Sequence, residues 1–350
     1  GAFWCSHLSQ AILPQACGSV DCCEIPWPRG RPMNTALFVL SAGAFAWAVW
    51  YNAVLKPATR RTEPWGPRWL ATGLSGALHR FGCWWLNFTH NTEDAIARGI
   101  FRSGRNYVIA WHPHGSFTIT ATYFLSYFWA KSYPEKGWFV CVASLLLKVP
   151  GLAEFLVLCG ARSGDSETFG KLLSQGRTVA IQPGGLLEQV NTDDQQEVLY
   201  FPPKLGFVRV AIKAGVPLLP AYAFGENQLY VTKPWVRSLN AWAYRTLRTG
   251  SLVICGVGGL PNSPILPNPG MLPVAGRGLH FRYGEPVEVG IADPNPSDEK
   301  LNEVFERYVA SLQNLFDAHK DTLLPKEVAA RGLKIVRRDG LKAAPTKVVS

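Results

Sequence analysis

The segment His112-Pro113-His114-Gly115 is the part of this chain best equipped for chemistry. An apolar run at 107–111 precedes it and a longer one at 117–130 follows, so the two imidazoles are predicted to lie where a strand turns into a helix. Imidazole is the side chain best suited to accept a proton near neutral pH. The proline and the glycine restrict the backbone around the second histidine. This pattern predicts a general base in a fixed position, and its apolar flanks indicate a lipid substrate.

Two other roles for the histidine pair stay open. In an extended strand the rings of His112 and His114 would share a face and could bind a metal ion. The sequence offers no matching cluster of Cys, His or Asp around them, which disfavours this role. Alternatively, the two rings are structural and form hydrogen bonds within the turn. We favour catalysis, and the metal role makes a distinct prediction, namely loss of activity on chelation.

A second segment suited to chemistry is Gln182-Pro183-Gly184-Gly185-Leu186-Leu187-Glu188, which follows a predicted strand at 177–182. Two glycines after a strand let a ligand approach the backbone closely and present N–H groups to an anion. Ligands of open α/β sheets collect at the carboxyl ends of the strands. We therefore expect Glu188 to lie near the histidine turn, where its carboxylate can orient an imidazole. The alternative is a type II turn with an exposed glutamate.

Two later segments carry candidate binding residues. Residues 203–215 are predicted to form an amphipathic helix with Arg209 and Lys213 on one face, where they meet either phosphate groups or only solvent. The strand predicted next along the chain ends in a polar turn. Glu226 and Asn227 in this turn are candidates for the rim of the site and are equally typical of turn formation.

Composition and charge indicate a lipid environment. The chain has 350 residues, of which 47% are hydrophobic and 17% charged, whereas about a quarter of the residues of a soluble domain are charged. The formal net charge of +10 fits an anionic membrane face or a phosphate-bearing ligand such as coenzyme A. The sequence contains no nucleic-acid-binding motif, so we do not expect a nucleic-acid partner. It also has no C-x-x-C pair, which disfavours zinc.

The N-terminal part of the chain is predicted to anchor it in a membrane. Residues 1–32 form an N-terminal segment to which the sequence assigns no clear role, and Met33 is the predicted start of the protein. Within a membrane-anchoring region at 33–90, Asn34 to Leu55 has no charged residue, and about 20 apolar residues suffice for a helix to cross a bilayer. A cleaved signal peptide is the alternative, although no clear small-residue cleavage site follows. Ala71 to Phe88 is a weaker membrane candidate because it contains a histidine and an arginine.

Basic residues predict the orientation of that helix. They are more numerous after the hydrophobic segment than before it, which favours a cytosolic location for the domain that follows. The residues compared are Lys56, Arg60, Arg61 and Arg68 on the C-terminal side, and Arg29 and Arg31 on the N-terminal side.

From residue 106 onward, short apolar runs alternate with helical patterns, which predicts an α/β fold. We assign 91–325 to this domain and 326–350 to a basic tail that is solvated or lies on a membrane. The predicted strands are 106–111, 138–144, 177–182, 217–223, 251–257 and 279–289. The predicted helices are 116–130, 151–158, 166–175, 204–214, 235–248 and 298–319. Residues 258–278 are predicted to form a long irregular loop because they are rich in proline and glycine.

Together these motifs resemble the diacylglycerol acyltransferase type 2 family, which includes monoacylglycerol and wax-alcohol acyltransferases. That family is marked by H-P-H-G, by G-G-x-x-E and by P-x-Y-x-F-G-E-N, here at 112–115, 184–188 and 220–227. Weaker matches lie at 205–209, 283–286 and 315–320. The matches follow the order of the family from about residue 84 to about residue 325.

The resemblance implies an acyltransferase of the endoplasmic-reticulum membrane, with a glycerolipid-acyltransferase-like mixed sheet flanked by helices and an N-terminal membrane helix. It implies transfer of a fatty acyl group from acyl-CoA, as co-substrate, to a neutral-lipid alcohol, without a metal or cofactor. Diacylglycerol is our first choice of acceptor, and a monoacylglycerol or a long-chain (wax) alcohol is the alternative. A lipid-droplet location and a homo-oligomer stay open. The rival from another class is a membrane lipid-binding protein without turnover.

The resemblance also assigns roles in the site. Relatives among glycerolipid acyltransferases use N-H-x-x-x-x-D, in which the aspartate orients the histidine, but here the corresponding positions are Phe117 and Ile119. We expect His114 to be the base, His112 to support the turn or share the proton, and Glu188 to orient the active imidazole. The family has an arginine paired with an acidic residue, and this pair is not clearly matched at Arg162. The resemblance therefore does not establish a contact of Arg162 with coenzyme A. The remaining predicted contacts to substrate are Pro113, Gly115, Gly184, Gly185, Arg209, Lys213, Glu226 and Asn227.

Overall fold

The computed structural model describes residues 35–101, 104–124, 138–262, 268–337 and 347–349. The chain divides into two compact units, Gly1–Val49 and Trp50–Ser350. The predicted segment 1–32 and the second half of the predicted helix 116–130 lie outside the described residues.

The hydrophobic N-terminal segment is helical. Helix α1 (Thr35–Trp50) continues through a π-helical turn (Tyr51–Leu55) into α2 (Lys56–Ala58). Within it, Leu37–Ala58 has 22 residues with a mean hydropathy of 1.5, and its most apolar window has no buried residue. At a rise of about 1.5 Å per residue, such a helix is roughly 33 Å long and can span a bilayer core. The segment is therefore a candidate membrane-spanning helix.

The second unit is a mixed α/β fold around a central sheet, as predicted. Among the described residues, seven strands pair in the order β1-β10-β7-β2-β5-β3-β4. The strands from β7 to β4 are parallel to their neighbours, whereas β10 pairs antiparallel with β7 and β1 pairs parallel with β10. The strands are β1 (Thr89–His90), β2 (Val108–His112), β3 (Trp138–Val142), β4 (Ala161–Ser163), β5 (Thr178–Ile181), β7 (Leu218–Phe224) and β10 (His280–Tyr283).

Helices cover both faces of this sheet and form a core on each. In β2, Val108 and Ala110 face one core, while Ile109 and Trp111 face the other. Burial on both faces explains why the central strands are continuous apolar runs. The helices of the second unit are α3 (Arg68–Leu86), α4 (Thr92–Ala97), α5 (described over 120–124), α6 (Leu152–Leu158), α7 (Ser166–Ser174), α8 (Gly185–Val190), α9 (Gly206–Ala214), α10 (Pro234–Leu247), α11 (Asp298–Leu323) and α12 (Lys326–Arg331).

Two smaller sheets were not predicted. Strand β6 (Glu197–Phe201) pairs in parallel with β11 (Leu333–Arg337), which pairs antiparallel with β12 (Lys347–Val349). β8 (Ile254–Cys255) and β9 (Pro261–Asn262) form a two-stranded sheet, so the strand predicted at 251–257 is shorter than expected.

The expectation of a solvated tail is wrong for the residues that form α12 and β11. Ile335 and Val336 are buried there, and the backbone of β11 forms hydrogen bonds with the edge of β6. The partner strand β6 lies more than a hundred residues earlier in the sequence. The basic residues near residue 331 are a local signal, so the sequence-based prediction followed them and did not detect the strand pairing.

Candidate active site

The histidine and glycine motifs leave the sheet at the same edge. His112 is the last residue of β2, and Gly184 follows β5, which is the parallel neighbour of β2. Hydrogen bonds tie the two loops together, and all of them use at least one backbone group of the histidine loop. They run from His114 N–H to Glu188 Oε1 (2.6 Å), from Gln182 Nε2 to the Pro113 carbonyl (3.2 Å), and from Gln189 Nε2 to the Ser116 carbonyl (3.1 Å).

Glu188 is buried between these loops, with 2% of its surface exposed. Its second oxygen, Oε2, accepts a hydrogen bond from the N–H of Tyr200 in β6 at 3.0 Å. The carboxylate folds back over Gly184 so closely that a Cβ at this position would collide with it. The first glycine of the motif is therefore required by the carboxylate that follows four residues later, and hydrogen bonds from the histidine loop and from β6 hold the two carboxylate oxygens.

The imidazole of His112 is the ring that faces this carboxylate. Its Nδ1 lies 3.5 Å from Glu188 Oε1, and the residue has no exposed surface. Phe201 packs edge-on against the ring, with 5.0 Å between the centroids. Among the described residues, neither ring nitrogen makes a hydrogen bond of standard geometry. The structure thus places Glu188 beside His112, while the contact of Glu188 with His114 is to the backbone.

The imidazole of His114 has a different environment. The residue is partly exposed, and its Nδ1 lies 3.3 Å from the Gly115 carbonyl. Burial lowers the pKa of His114 below its ordinary value, an effect that the negative charge of Glu188 partly offsets. A lowered pKa keeps the ring neutral at physiological pH, so it can accept a proton. Of the two histidines, only His114 has exposed surface.

Glu226 and Asn227 lie inside the protein just beyond β7, not at an exposed rim. Glu226 has no exposed surface and Asn227 is 3% exposed. Glu226 accepts hydrogen bonds from the backbone N–H groups of Ile119 (2.6 Å) and Thr120 (3.0 Å) and from the Thr120 hydroxyl. Burial raises the pKa of Glu226 to about 7.

Asn227 belongs to a cluster that the sequence analysis missed. Glu197 of β6 is a buried carboxylate, and burial raises its pKa. It accepts hydrogen bonds from the Tyr222 hydroxyl (2.7 Å), Asn227 Nδ2 (2.7 Å) and Gln228 Nε2 (2.9 Å). No local pattern marks Glu197, because it begins a strand of otherwise hydrophobic residues whose partner strand lies far away in sequence.

The basic residues considered as contacts to coenzyme A are on other elements than the histidine and glycine motifs. Arg209 on α9 donates to the Pro296 carbonyl (3.4 Å) and pairs with Asp298 at the start of α11 (3.2 Å). Lys213 is exposed on the same helix, whose opposite face is buried. Arg162 is fully buried, and its guanidinium donates to the carbonyls of Arg61, Glu63, Val157 and Ala161. It connects β4 to the segment that follows α2.

Among the described residues, no group of three or more His, Cys, Asp and Glu side chains is arranged to hold a metal ion. The candidate site combines the partly exposed imidazole of His114, the imidazole of His112 against the buried Glu188, and two glycines at the carboxyl edge of parallel strands. A neutral imidazole in this setting can accept a proton from a hydroxyl or thiol group.

Comparison with known proteins identifies the family. The family model described as "Diacylglycerol acyltransferase" matches residues 94–329, which include both motifs of the site. The chain belongs to this family, and the family predicted from the motifs is confirmed.

Individual relatives agree with this assignment. The chain is 29% identical to acyl-CoA wax alcohol acyltransferase 2 of Mus musculus over 239 residues, a match covering 62% of this chain and 66% of that protein. It is 28% identical to diacylglycerol O-acyltransferase 2 of Dictyostelium discoideum over 237 residues, covering 64% and 68% respectively. The chain thus spans about two thirds of the length of the relatives it matches.

A solved structure, the 1-acyl-sn-glycerophosphate acyltransferase PlsC of Thermotoga maritima, resembles the chain with a TM-score of 0.40 and 15% identity, covering 80% of this chain and 97% of that one. This likeness is too distant to support an argument about the site.

Proposed function

We propose that the protein is an acyl-CoA-dependent O-acyltransferase that transfers a fatty acyl group to the hydroxyl of a neutral lipid. The observation that carries this proposal is the partly exposed imidazole of His114, which burial keeps neutral and whose backbone is fixed by the buried Glu188. Membership of the diacylglycerol acyltransferase family supports the same reaction.

In the proposed reaction, His114 accepts the proton of the acceptor hydroxyl while the hydroxyl oxygen attacks the thioester carbonyl of acyl-CoA. Backbone N–H groups near Gly184 and Gly185 stabilise the negative oxygen of the tetrahedral intermediate. The C–S bond then breaks, and the imidazolium returns its proton to the departing thiolate. The products are an ester and free coenzyme A. His112, paired with Glu188, supports the turn that presents His114.

For the acceptor we propose diacylglycerol, which would give triacylglycerol. Monoacylglycerol and long-chain alcohols are the alternatives, since relatives at similar identity carry names for diacylglycerol and for wax alcohols. We propose Lys213 as a contact to coenzyme A phosphates, with Arg209 available only if its pair with Asp298 opens. No metal or cofactor enters the proposed reaction.

The candidate membrane helix supports a membrane location. We propose the endoplasmic-reticulum membrane, with the α/β unit in the cytosol where acyl-CoA is available, and lipid droplets as a second location. Placing the site at a membrane gives it access to acceptors that do not dissolve in water.

The test is expression of the full chain in yeast that lacks neutral-lipid synthesis, followed by chromatography of total lipid. We expect a new triacylglycerol band, whereas a wax-ester band would identify a long-chain alcohol as the acceptor. His114→Ala should abolish the product at equal protein abundance, and EDTA should leave it unchanged. A chain that binds acyl-CoA but yields no ester with any of these acceptors would favour the lipid-binding alternative and contradict the proposal.

A further inference from the structure

A second buried carboxylate holds the residues that follow the histidine motif. Glu226 comes after β7, which is the parallel neighbour of β2 on the side away from β5. Its two oxygens accept the backbone N–H groups of Ile119 and Thr120, at 2.6 and 3.0 Å, and the Thr120 hydroxyl. Helix α5 begins at Thr120, so the carboxylate satisfies N–H groups that have no partner within the helix.

The same side chain packs against the last residue of the motif. Gly115 has φ of +68°, a conformation that favours glycine, and a Cβ at this position would lie 2.8 Å from Glu226 Cγ. A side chain at residue 115 is therefore excluded by both the backbone and Glu226. Contacts from Glu226 thus reach both ends of the segment 115–120, which directly follows His114.

The histidine loop is consequently held by two carboxylates from different strands. Glu188, after β5, accepts the N–H of His114, and Glu226, after β7, accepts the N–H groups of Ile119 and Thr120. The three hydrogen bonds that Glu226 accepts come from buried or partly buried groups, where a hydrogen bond is stronger than it is in water.

We propose that Glu226 is a positioning residue, whose carboxylate fixes residues 115–120 and through them the orientation of the His114 imidazole for acyl transfer. This inference rests on the proposed function and adds a residue to it. Glu226 acts through the backbone and does not touch the substrate, because it has no exposed surface. The role differs from the rim contact expected from the sequence.

The test compares Glu226→Gln with the wild type as full-length protein in detergent or membranes. The amide keeps the size of the side chain but has only one acceptor oxygen. Its NH₂ group, a donor, then faces one of the backbone N–H groups of Ile119 and Thr120, which are also donors. We expect faster hydrogen–deuterium exchange in the peptide covering residues 114–120. Because small displacements of a catalytic group cost about 100-fold in rate, we expect kcat to fall by about that factor while KM for acyl-CoA changes less than threefold.

Glu197→Gln is the matched control. Glu197 is also buried and also accepts three hydrogen bonds, but all three come from side chains and none comes from the histidine loop. It should lower thermal stability without accelerating exchange at 114–120. Thr120→Val, which removes the hydroxyl donor alone, should reproduce part of the Glu226→Gln effect, and Thr120→Ser should restore wild-type behaviour. Combined with Glu226→Gln, Thr120→Val should add little, since residues that act as a unit are not additive.

Two results would overturn the inference. One is wild-type exchange at 114–120 in a folded Glu226→Gln protein. The other is an equal loss of kcat in Glu226→Gln and Glu197→Gln with no local change, which would indicate a general effect on stability. The exchange measurement does not require turnover, so failure of the proposed function, seen as a wild-type protein without ester product, is distinguishable from failure of this inference.

Discussion

At the scale of single residues, the two histidines differ more than their spacing suggests. His112 is sealed inside the protein against Glu188 and Phe201, whereas His114 is partly exposed and contacts Glu188 only through its backbone. The difference favours His114 over His112 as the proposed base, since only His114 has exposed surface.

This difference predicts unequal effects of two alanine substitutions. His114→Ala removes the proposed base and should lower kcat by about 10²–10⁴-fold without changing stability much, since removal of a general base has this range of cost. His112→Ala opens a cavity beside a buried carboxylate and should lower the unfolding temperature as well as activity. Kinetics and thermal unfolding of both variants in detergent check this. A larger kcat loss in a stable His112→Ala protein would transfer the role of base to His112.

Glu226 also predicts a pH dependence of stability. Burial raises the pKa of Glu226 from its ordinary value of 4.5 to about 7, so the folded state binds the proton more tightly than the unfolded state. The stabilisation from protonated Glu226 is complete below about pH 4.5 and is lost as the pH rises through 7. Tyr230, whose pKa is raised by burial and by the charge of Glu226, stays neutral in this range.

Because proton binding is linked to folding, the free energy of unfolding should fall by roughly 2 kcal/mol between pH 5.5 and pH 8. Denaturant unfolding at the two pH values should show this decline in the wild type, relative to Glu226→Gln, which cannot titrate at this position. Parallel curves for the two proteins would contradict the raised pKa.

At the scale of elements, strand β11 supports the candidate site through its neighbour β6. β11 pairs with β6 along its length, and β6 supplies the Tyr200 N–H that binds Glu188 Oε2 at 3.0 Å. Residues beyond the family match at 94–329 thereby support a carboxylate at its centre.

We expect Ile335→Ala in β11 to destabilise the protein by about 2–4 kcal/mol, because Ile335 is 2% exposed and truncating such a side chain leaves a cavity. Activity at the assay temperature should fall with it. The neighbouring Lys334 is exposed, so Lys334→Ala is a suitable control and should behave as the wild type in both measurements. Equal stability of the two variants would show that β11 does not support the fold.

At the scale of the whole molecule, the main question is how a chain with few charged residues meets its lipid substrates. The candidate membrane helix Leu37–Ala58 predicts that the full-length protein resists extraction from membranes by alkaline carbonate. Charged residues at the centre of a bilayer cost roughly 3 kcal/mol each. Gly43→Arg combined with Ala46→Arg should therefore release protein into the carbonate-soluble fraction, whereas the same number of arginines on the exposed face of α11 should not. Equal retention of all three proteins would mean that other parts of the chain hold it on the membrane.

Local signals in the sequence determined much of this protein. Apolar runs set the central strands, the period of apolar residues and the Ser297 cap set α11, and the motifs identified the family and the proximity of Glu188 to the histidine turn. These features depend on residues close together in the chain, where residue type and spacing constrain the backbone directly.

Only the tertiary structure decided which imidazole faces Glu188, that Glu226 is buried against Gly115, and that Glu197 and β11 belong to the framework of the site. Each of these depends on strands that are neighbours in the sheet but far apart in sequence, such as β2 with β7 and β6 with β11. Whether a carboxylate is exposed in a turn or buried against a backbone is set by what packs over it, and that information is spread across the whole chain.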